Sequence, residues 1–201
     1  MRDPDGYKMR ILDSLDNAKA AGEVDADIIP LLDRINSFDD WITTSSCSGR
    51  FQVISTATPG DKVGSRVLGK WHREVEKEEV LGAIGRWDSK GGLHLMVQPL
   101  LIHIRCLDIP SAVGLRNIGQ GAGIKYCSIR SLKLDRYDRP TDWGITVEMM
   151  GTERAEIPLH GLDRGILNSS MGFWADYGNR LLLRTKGHID DLNISLKELT
   201  D

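Results

Sequence analysis

The chain has 201 residues, 40% of them hydrophobic and 27% charged, with a formal net charge of -3 at pH 7; the length suits one domain with a substantial core, or at most two small ones, and the composition is ordinary for a globular protein, so one domain is expected. The slightly acidic balance also excludes bulk attraction to nucleic acid, so RNA binding would rest on local basic patches. No apolar run approaches the roughly 20 residues of a membrane span, and Met1-Arg2-Asp3-Pro4-Asp5 lacks a signal peptide's apolar core, so the expected location is cytoplasmic, with no membrane partner.

In chain order, residues 7–20 have helical spacing, with Ile11, Leu12, Leu15 and Ala18 on one side and Gly22 as the stop. Asp25 is placed to cap a second helix carrying Ile28, Ile29, Leu32 and Ile35. The run Thr43-Thr44-Ser45-Ser46-Cys47-Ser48-Gly49-Arg50 follows, without an apolar side chain, and reads as a site loop; it also fits a hydroxyl-rich turn leading into a strand. Residues 51–56 read as a strand, 59–62 as a turn, 66–72 as a returning strand and 75–86 as a helix. After Gly91-Gly92, the alternating residues 93–98 and the apolar run 100–106 are β-like, with Pro99 bending or edging the strand between them. Asp108 and Pro110 open a helix that ends near Gly119 or Gly121.

Residues 124–134 and 145–150 read as strands around a turn at 135–141, and 155–159 as a short segment. Two helices end the chain, the first with Met171, Trp174, Leu181 and Leu182 and stopping before Gly187, the second with Ile189, Leu192, Leu196 and Leu199. The order predicts a single α+β domain over 1–201: a mixed, mostly antiparallel β-sheet with flanking helices and helical N- and C-terminal segments. It is not a Rossmann fold, because Gly119-Gln120-Gly121-Ala122-Gly123 closes a helix and precedes a strand, whereas a dinucleotide loop follows a strand and opens a helix.

Several side chains could carry chemistry. His72, beside Lys70 and Trp71, is an acid/base candidate because an unperturbed imidazole changes charge near neutrality; a structural histidine on a sheet surface is the alternative. Strand alternation puts His103 and Arg105 on the face opposite Ile102 and Ile104, an imidazole beside a guanidinium, unless His103 is a satisfied buried residue. Ser45, Ser46, Ser48 and Arg50 offer donors to a carboxylate or phosphate, and Arg116 with Asn117 could read a carboxylate, ribose or base edge, or be only a helix end. Cys47, Cys106 and Cys127 form an odd set without Cys-x-x-Cys spacing, which argues for reduced thiols, with no disulfide framework and no metal site. Lys125, Arg130, Lys133, Arg136 and Arg139 form one basic cluster and Arg180, Arg184 and Lys186 another; both also fit ordinary solvated surfaces.

The hydroxyl-rich run, with Ile35-Asn36 and Trp41-Ile42 before it, resembles the signature of the tRNA wybutosine-synthesising protein 3 family. Further matches follow in the family's order: Gly69-Lys70-Trp71-His72, the run 99–106, Gly114-Leu115-Arg116-Asn117-Ile118-Gly119, Ile129-Arg130-Ser131 and Glu156-Ile157-Pro158-Leu159. Many members carry Phe at Leu115 and Ser at Ile118, and Ile118 offers a ligand no hydroxyl.

The resemblance implies a transferase: an S-adenosylmethionine-dependent tRNA methyltransferase that N-methylates the tricyclic wybutosine precursor, 4-demethylwybutosine, beside the anticodon of phenylalanine tRNA. On that reading His72 and His103 are the catalytic candidates. Ser45, Ser46, Cys47, Ser48, Arg116 and Asn117 are the donor-binding candidates, and Arg50, Lys70, Trp71, Arg105 and Arg130 would hold the tRNA. Methyl transfer to nitrogen needs orientation and close approach more than a covalent enzyme intermediate, so Cys47 is expected to line a ligand or pack rather than attack. A non-catalytic tRNA-binding module that presents the base to another enzyme is the alternative, and a hydrolase using Ser46 and Cys47 is a third reading. Oligomeric state is left open.

Overall fold

The computed structural model describes residues 4–57 and 64–199; the turn expected at 59–62 lies outside the described residues. Helix α1 (Pro4–Ala20) ends as its sequence predicts: Gly22 adopts φ +70°, its amide donates to the Lys19 carbonyl and the Glu23 amide to the Ala18 carbonyl. Only glycine takes that left-handed backbone without strain, and the two bonds satisfy carbonyls the helix end leaves open. A 3-10 turn (Ala26–Ile28) leads into α2 (Ile29–Ser37), which buries Leu31, Leu32 and Ile35. Asp25 does not cap it with its side chain; its carboxylate accepts from the Ser48 amide at 2.8 Å instead.

The hydroxyl-rich run is not a loop. It lies inside β1 (Trp41–Thr56), a 16-residue strand. β2 (Arg66–Trp71) pairs antiparallel with β1 over Phe51–Ser55, as the hairpin expectation required, and α3 (Lys77–Ile84) follows. β3 (Gly92–Cys106) runs through Pro99 without a break. Pro99 falls between the stretch His94–Val97, paired with β6 (Ala155–Pro158), and the stretch Leu101–Cys106, paired with β5 (Pro140–Met150). Helix α4 (Ile109–Gly121) starts at Asp108, whose side chain accepts from the Ser111 amide at 2.8 Å. β4 (Tyr126–Leu134) pairs with β5, and the chain closes with α5 (Arg164–Lys197). The two expected C-terminal helices are therefore one helix of 34 residues that continues through Gly187.

The strands follow the order β2-β1-β3-β5-β4, with β6 on β3, and the β1–β2, β3–β5, β3–β6 and β4–β5 pairings are antiparallel. The α+β class and the absence of a Rossmann arrangement agree with the sequence: the glycines at 119–123 close α4, with the Ala122 amide on Ile118 and Gly123 at φ +83°. Among the described residues, no helix is long and apolar enough to cross a membrane.

Two compact units divide the chain. The first contains the residues up to Ser48, Leu100–Thr152 and the residues from Lys186 on. Its core joins Leu31, Leu32 and Ile35 of α2, Ile102 and Ile104 of β3, Leu115 of α4, Val147 of β5 and Leu192 of α5. The second contains Gly49–Pro99 and Glu153–Thr185, with a core of Phe51, Val53, Val80, Leu93, Leu95 and Met171. Each fully buried aliphatic or Phe side chain in these clusters contributes roughly 1.5–3 kcal/mol by leaving water. In the first unit, the alternation that buries Ile102, Ile104, Ile145, Val147 and Met149 sends His103, Arg105 and Glu148 to the sheet's other face.

Candidate active site

On that polar face, β3 and β5 place His103 opposite Glu148 in the ladder, and the two meet through His103 Nε2 and Glu148 Oε2 at 2.7 Å. The other ring nitrogen, Nδ1, lies 2.7 Å from the Ser45 hydroxyl of β1. Arg130, from β4, brings Nη1 onto the same Glu148 oxygen and to 2.8 Å from His103 Nε2. With Nε2–H donating to the carboxylate, Nδ1 is left to accept from Ser45; with the ring protonated, both nitrogens donate. The hydrogen bond from His103, followed by that from Arg130, holds the Glu148 carboxyl below the usual carboxylate range, with partial burial opposing. The chain Ser45–His103–Glu148 can therefore accept a proton at its serine end and stabilise the imidazolium at its carboxylate end.

Arg105 shares the face but serves a different contact. Its guanidinium donates to the Tyr7 hydroxyl and lies 5.5 Å from the ring centroid of Tyr7, which stacks at 6.3 Å on Trp143. The guanidinium beside the imidazole is thus Arg130's, not Arg105's. Trp143 holds φ +56°, a left-handed backbone that costs a bulky residue roughly 1–3 kcal/mol.

The hydroxyl-rich strand is divided by contact. Thr43 is buried and exchanges hydrogen bonds with Asn36, its amide donating to Asn36 Oδ1 at 2.8 Å, and Thr44 donates to the His103 carbonyl at 3.3 Å. Ser45 and Ser46 line a cavity of about 310 Å³ whose opposite wall is formed by Ile11, Leu15, Ala18, Val24 and Leu32 of the first helices and the connection between them, with Glu23 the one charged lining residue. Ser48 is fully buried and taken up by the protein: its amide goes to Asp25, and Lys186 Nζ donates to its carbonyl at 2.9 Å and its hydroxyl at 2.8 Å. Lys186 also pairs with Asp27. Cys47 is half-buried. Burial pushes the Cys106 thiol up to about 12 and the Cys127 thiol up to about 11, which makes both poor nucleophiles.

Arg116 and Asn117 do not join this site. They stand on α4, which packs through Ala112 and Leu115 against Ile102, Ile104 and Val147, so the sheet's apolar face separates their helix from His103. Leu115, where many members of the resembled family carry Phe, is a core residue. In the second unit, Arg50 Nε donates to Gln98 Oε1 at 2.6 Å, and His72 Nδ1 lies 3.1 Å from the Gly49 carbonyl, so that nitrogen carries the proton and donates. Lys70 is exposed, whereas Trp71 packs edge-on to Phe51 at 6.3 Å and is a core contact more than a stacking platform. Glu156 Oε1 lies 3.3 Å from His94 Nδ1. Ser45, His103 and Arg130 are thus brought together, while Arg50, Lys70, Trp71 and His72 belong to the other unit. Glu148, Tyr7 and Trp143 escaped the sequence reading. Glu148 had a signal, a lone acid between Val147 and Met149 in an apolar alternating strand.

The model of the family described as Methyltransferase TYW3 matches residues 6–198. The chain belongs to this family. Among its members, the tRNA(Phe) 7-((3-amino-3-carboxypropyl)-4-demethylwyosine(37)-N(4))-methyltransferase 1 of Pyrococcus furiosus is 43% identical over 152 residues, 76% of this chain and 73% of the relative. A methyltransferase of the same description from Thermococcus sibiricus is 37% identical over 196 residues, covering 97% and 95%. The solved structure of the PH1069 protein from Pyrococcus horikoshii superposes with a TM-score of 0.83 at 36% identity, over 96% of this chain and 95% of that one. A protein from Aeropyrum pernix shares the fold, with a TM-score of 0.68 at 21% identity over 87% of this chain and 98% of that one.

Proposed function

We propose that the protein is an S-adenosylmethionine-dependent methyltransferase that methylates N4 of 7-(3-amino-3-carboxypropyl)-4-demethylwyosine at position 37 of tRNA(Phe), the reaction its relatives are named for. The names of those relatives narrow the acceptor from the wybutosine precursor expected from the sequence to the aminocarboxypropyl form. Acting on tRNA, the protein works in the cytoplasm. The observation that carries the reading is the Ser45–His103–Glu148 chain on the polar sheet face, within a chain matched by the methyltransferase family over nearly its whole length.

The chemistry of the cavity lining fits the adenosine half of the donor: an aliphatic wall for a purine, the Ser45 and Ser46 hydroxyls at its side, and the Glu23 carboxylate for a ribose diol. When bound, the donor supplies a methyl carbon on a sulfonium, whose C–S bond breaks as the carbon–nitrogen bond forms. The residues supply orientation and a place for the proton. The acceptor's N–H proton passes to Ser45 Oγ as the serine's own proton moves to His103 Nδ1, and Glu148 balances the charge on the ring. Arg130 fixes the Glu148 carboxylate and, with more than half of its side chain exposed, keeps donors for the substrate's own carboxylate or a phosphate.

The test is incubation with methyl-labelled S-adenosylmethionine and tRNA(Phe) carrying the unmethylated base. Label is expected in the tricyclic nucleoside after digestion; an unlabelled base, while a proven family member labels the same tRNA, would refute the assignment.

A further inference from the structure

The strand that delivers Arg130 to the site runs on, away from the core. Every residue of the nine-residue β4 except Cys127 is exposed, and β4 ends the strand order with β5 as its neighbour. Tyr126, Ile129, Leu132 and Leu134 stand 41–57% exposed on it, interleaved with Arg130 and Lys133. The β4–β5 ladder then slips: Leu132 faces Ile145 but Leu134 faces Pro140, so residues 141–144 bulge opposite Lys133, and the Thr141 hydroxyl donates to the Lys133 carbonyl at 3.3 Å. A bulge of this kind bends a hairpin and re-aims what lies beyond it.

Beyond it is an ordered turn. The Asp135 carboxylate accepts from the Tyr137 amide at 2.8 Å and the Arg139 amide at 3.0 Å, and pairs with the Arg139 guanidinium at 3.0 Å. The turn presents Tyr137, 59% exposed, with the guanidinium groups of Arg136 and Arg139 at 4.6 and 5.0 Å from its ring centroid. From Arg130 to Leu134 the strand covers roughly 13 Å at about 3.3 Å per residue, and the turn carries Tyr137 beyond its end.

We propose that this hairpin, from Arg130 to Arg139, is an RNA-binding arm: Tyr137 stacks on a base flanking the modified nucleotide, and Lys133 and Arg136 take its phosphates. The identity of the RNA rests on the function proposed above. Aromatic rings stack on any base and guanidinium groups pair with phosphates, so an anionic strand with free bases satisfies both features of the arm. A second copy of this chain, added edge to edge, would cover the apolar residues but bring two copies of a strand that carries Arg130 and Lys133 and no acid side by side, an unfavourable like-charge contact. In the other basic cluster, Arg184 pairs with Glu153 at 3.5 Å and Lys186 with Asp27.

The experiment measures binding of tRNA(Phe) by fluorescence anisotropy over a salt series, for the full chain and for two variants. One combines Arg136→Gln with Tyr137→Ser and leaves Arg139 to hold Asp135; the other is Lys133→Glu, outside the turn. Each is expected to raise Kd about tenfold and to flatten the dependence of log Kd on log salt by roughly 0.7 per lost phosphate contact. The methylation rate at saturating tRNA is expected to stay within about twofold of the parent, since neither variant touches the Ser45–His103–Glu148 chain. Unchanged Kd and slope in both variants would overturn the arm while leaving methylation by the parent protein to stand. A loss of affinity that appears only with a change of oligomeric state in sedimentation would assign the hairpin to a second copy and overturn it too. Arm-dependent binding by a parent protein that transfers no methyl group would support the arm and defeat the catalytic reading instead.

Discussion

At the scale of single residues, His103 is the pivot, because its two ring nitrogens join a hydroxyl that faces the cavity to a carboxylate locked by an arginine. Replacing His103 by Gln keeps a hydrogen-bonding side chain but removes the proton acceptor, and is expected to lower kcat by about 10²–10⁴ with donor affinity changed less than about threefold. Steady-state kinetics with calorimetry decides this; lost affinity at an unchanged rate would make His103 a binding residue. Glu148 carries a stability consequence of definite sign. Its folded carboxyl is held below the ordinary range, first by the His103 hydrogen bond and then by Arg130, so it favours the folded state above the unfolded carboxylate's range. That contribution is lost as pH falls through the depressed folded value. The Tm of the parent should therefore exceed that of Glu148→Gln near neutrality, and the two melting curves should draw together on acidification. A gap that stays constant with pH would show that the carboxylate's charge is not what Glu148 contributes.

At the scale of elements, the sequence reading failed where a local signal was outweighed by partners distant in sequence. The run 43–50 lacks apolar alternation and reads as a loop, yet β1 holds it through Thr44 on the His103 carbonyl and Thr43 on Asn36, contacts no local pattern announces. Gly187 reads as a helix stop because glycine in a helix costs about 1 kcal/mol relative to Ala. Burial of Met171, Ala175, Leu182, Ile189, Leu192 and Leu196 along the same helix outweighs that cost. Two glycines of α5 give opposite predictions. A Cβ at Gly187 would meet nothing within 4 Å, whereas one at Gly178 would lie 2.3 Å from Phe51 Cε2 and 3.0 Å from Val97 Cγ2. Gly187→Ala is therefore expected to stabilise the protein by about 0.5–1 kcal/mol. Gly178→Ala should destabilise it by about 1–3 kcal/mol, overpacking outweighing the gain in helix propensity. Urea melts of the pair check this, and two shifts of the same sign would contradict the packing around Phe51.

For the whole molecule, the α+β order and the polar face of β3 were legible because period-two alternation is local, and the composition of the site was not, because Ser45, His103, Arg130 and Glu148 come from four strands. Charge shows the same division. A net charge of -3 cannot draw tRNA to the protein as a whole, so association has to be carried by few cations grouped in space. On the first unit those are Arg130, Lys133, Arg136 and Arg139 of the exposed hairpin, one of them already shared with Asp135 and another with Glu148. At roughly 0.7 counterions released per phosphate on single-stranded RNA, the full chain should show a slope of log Kd against log salt of only about two to three. A protein that tracks the duplex backbone with 6–10 phosphate contacts gives a far steeper dependence. Anisotropy titrations at several potassium chloride concentrations measure the slope, and a value above about five would mean that tRNA is held over a surface much broader than one hairpin, with the acidic remainder of the protein turned away from it.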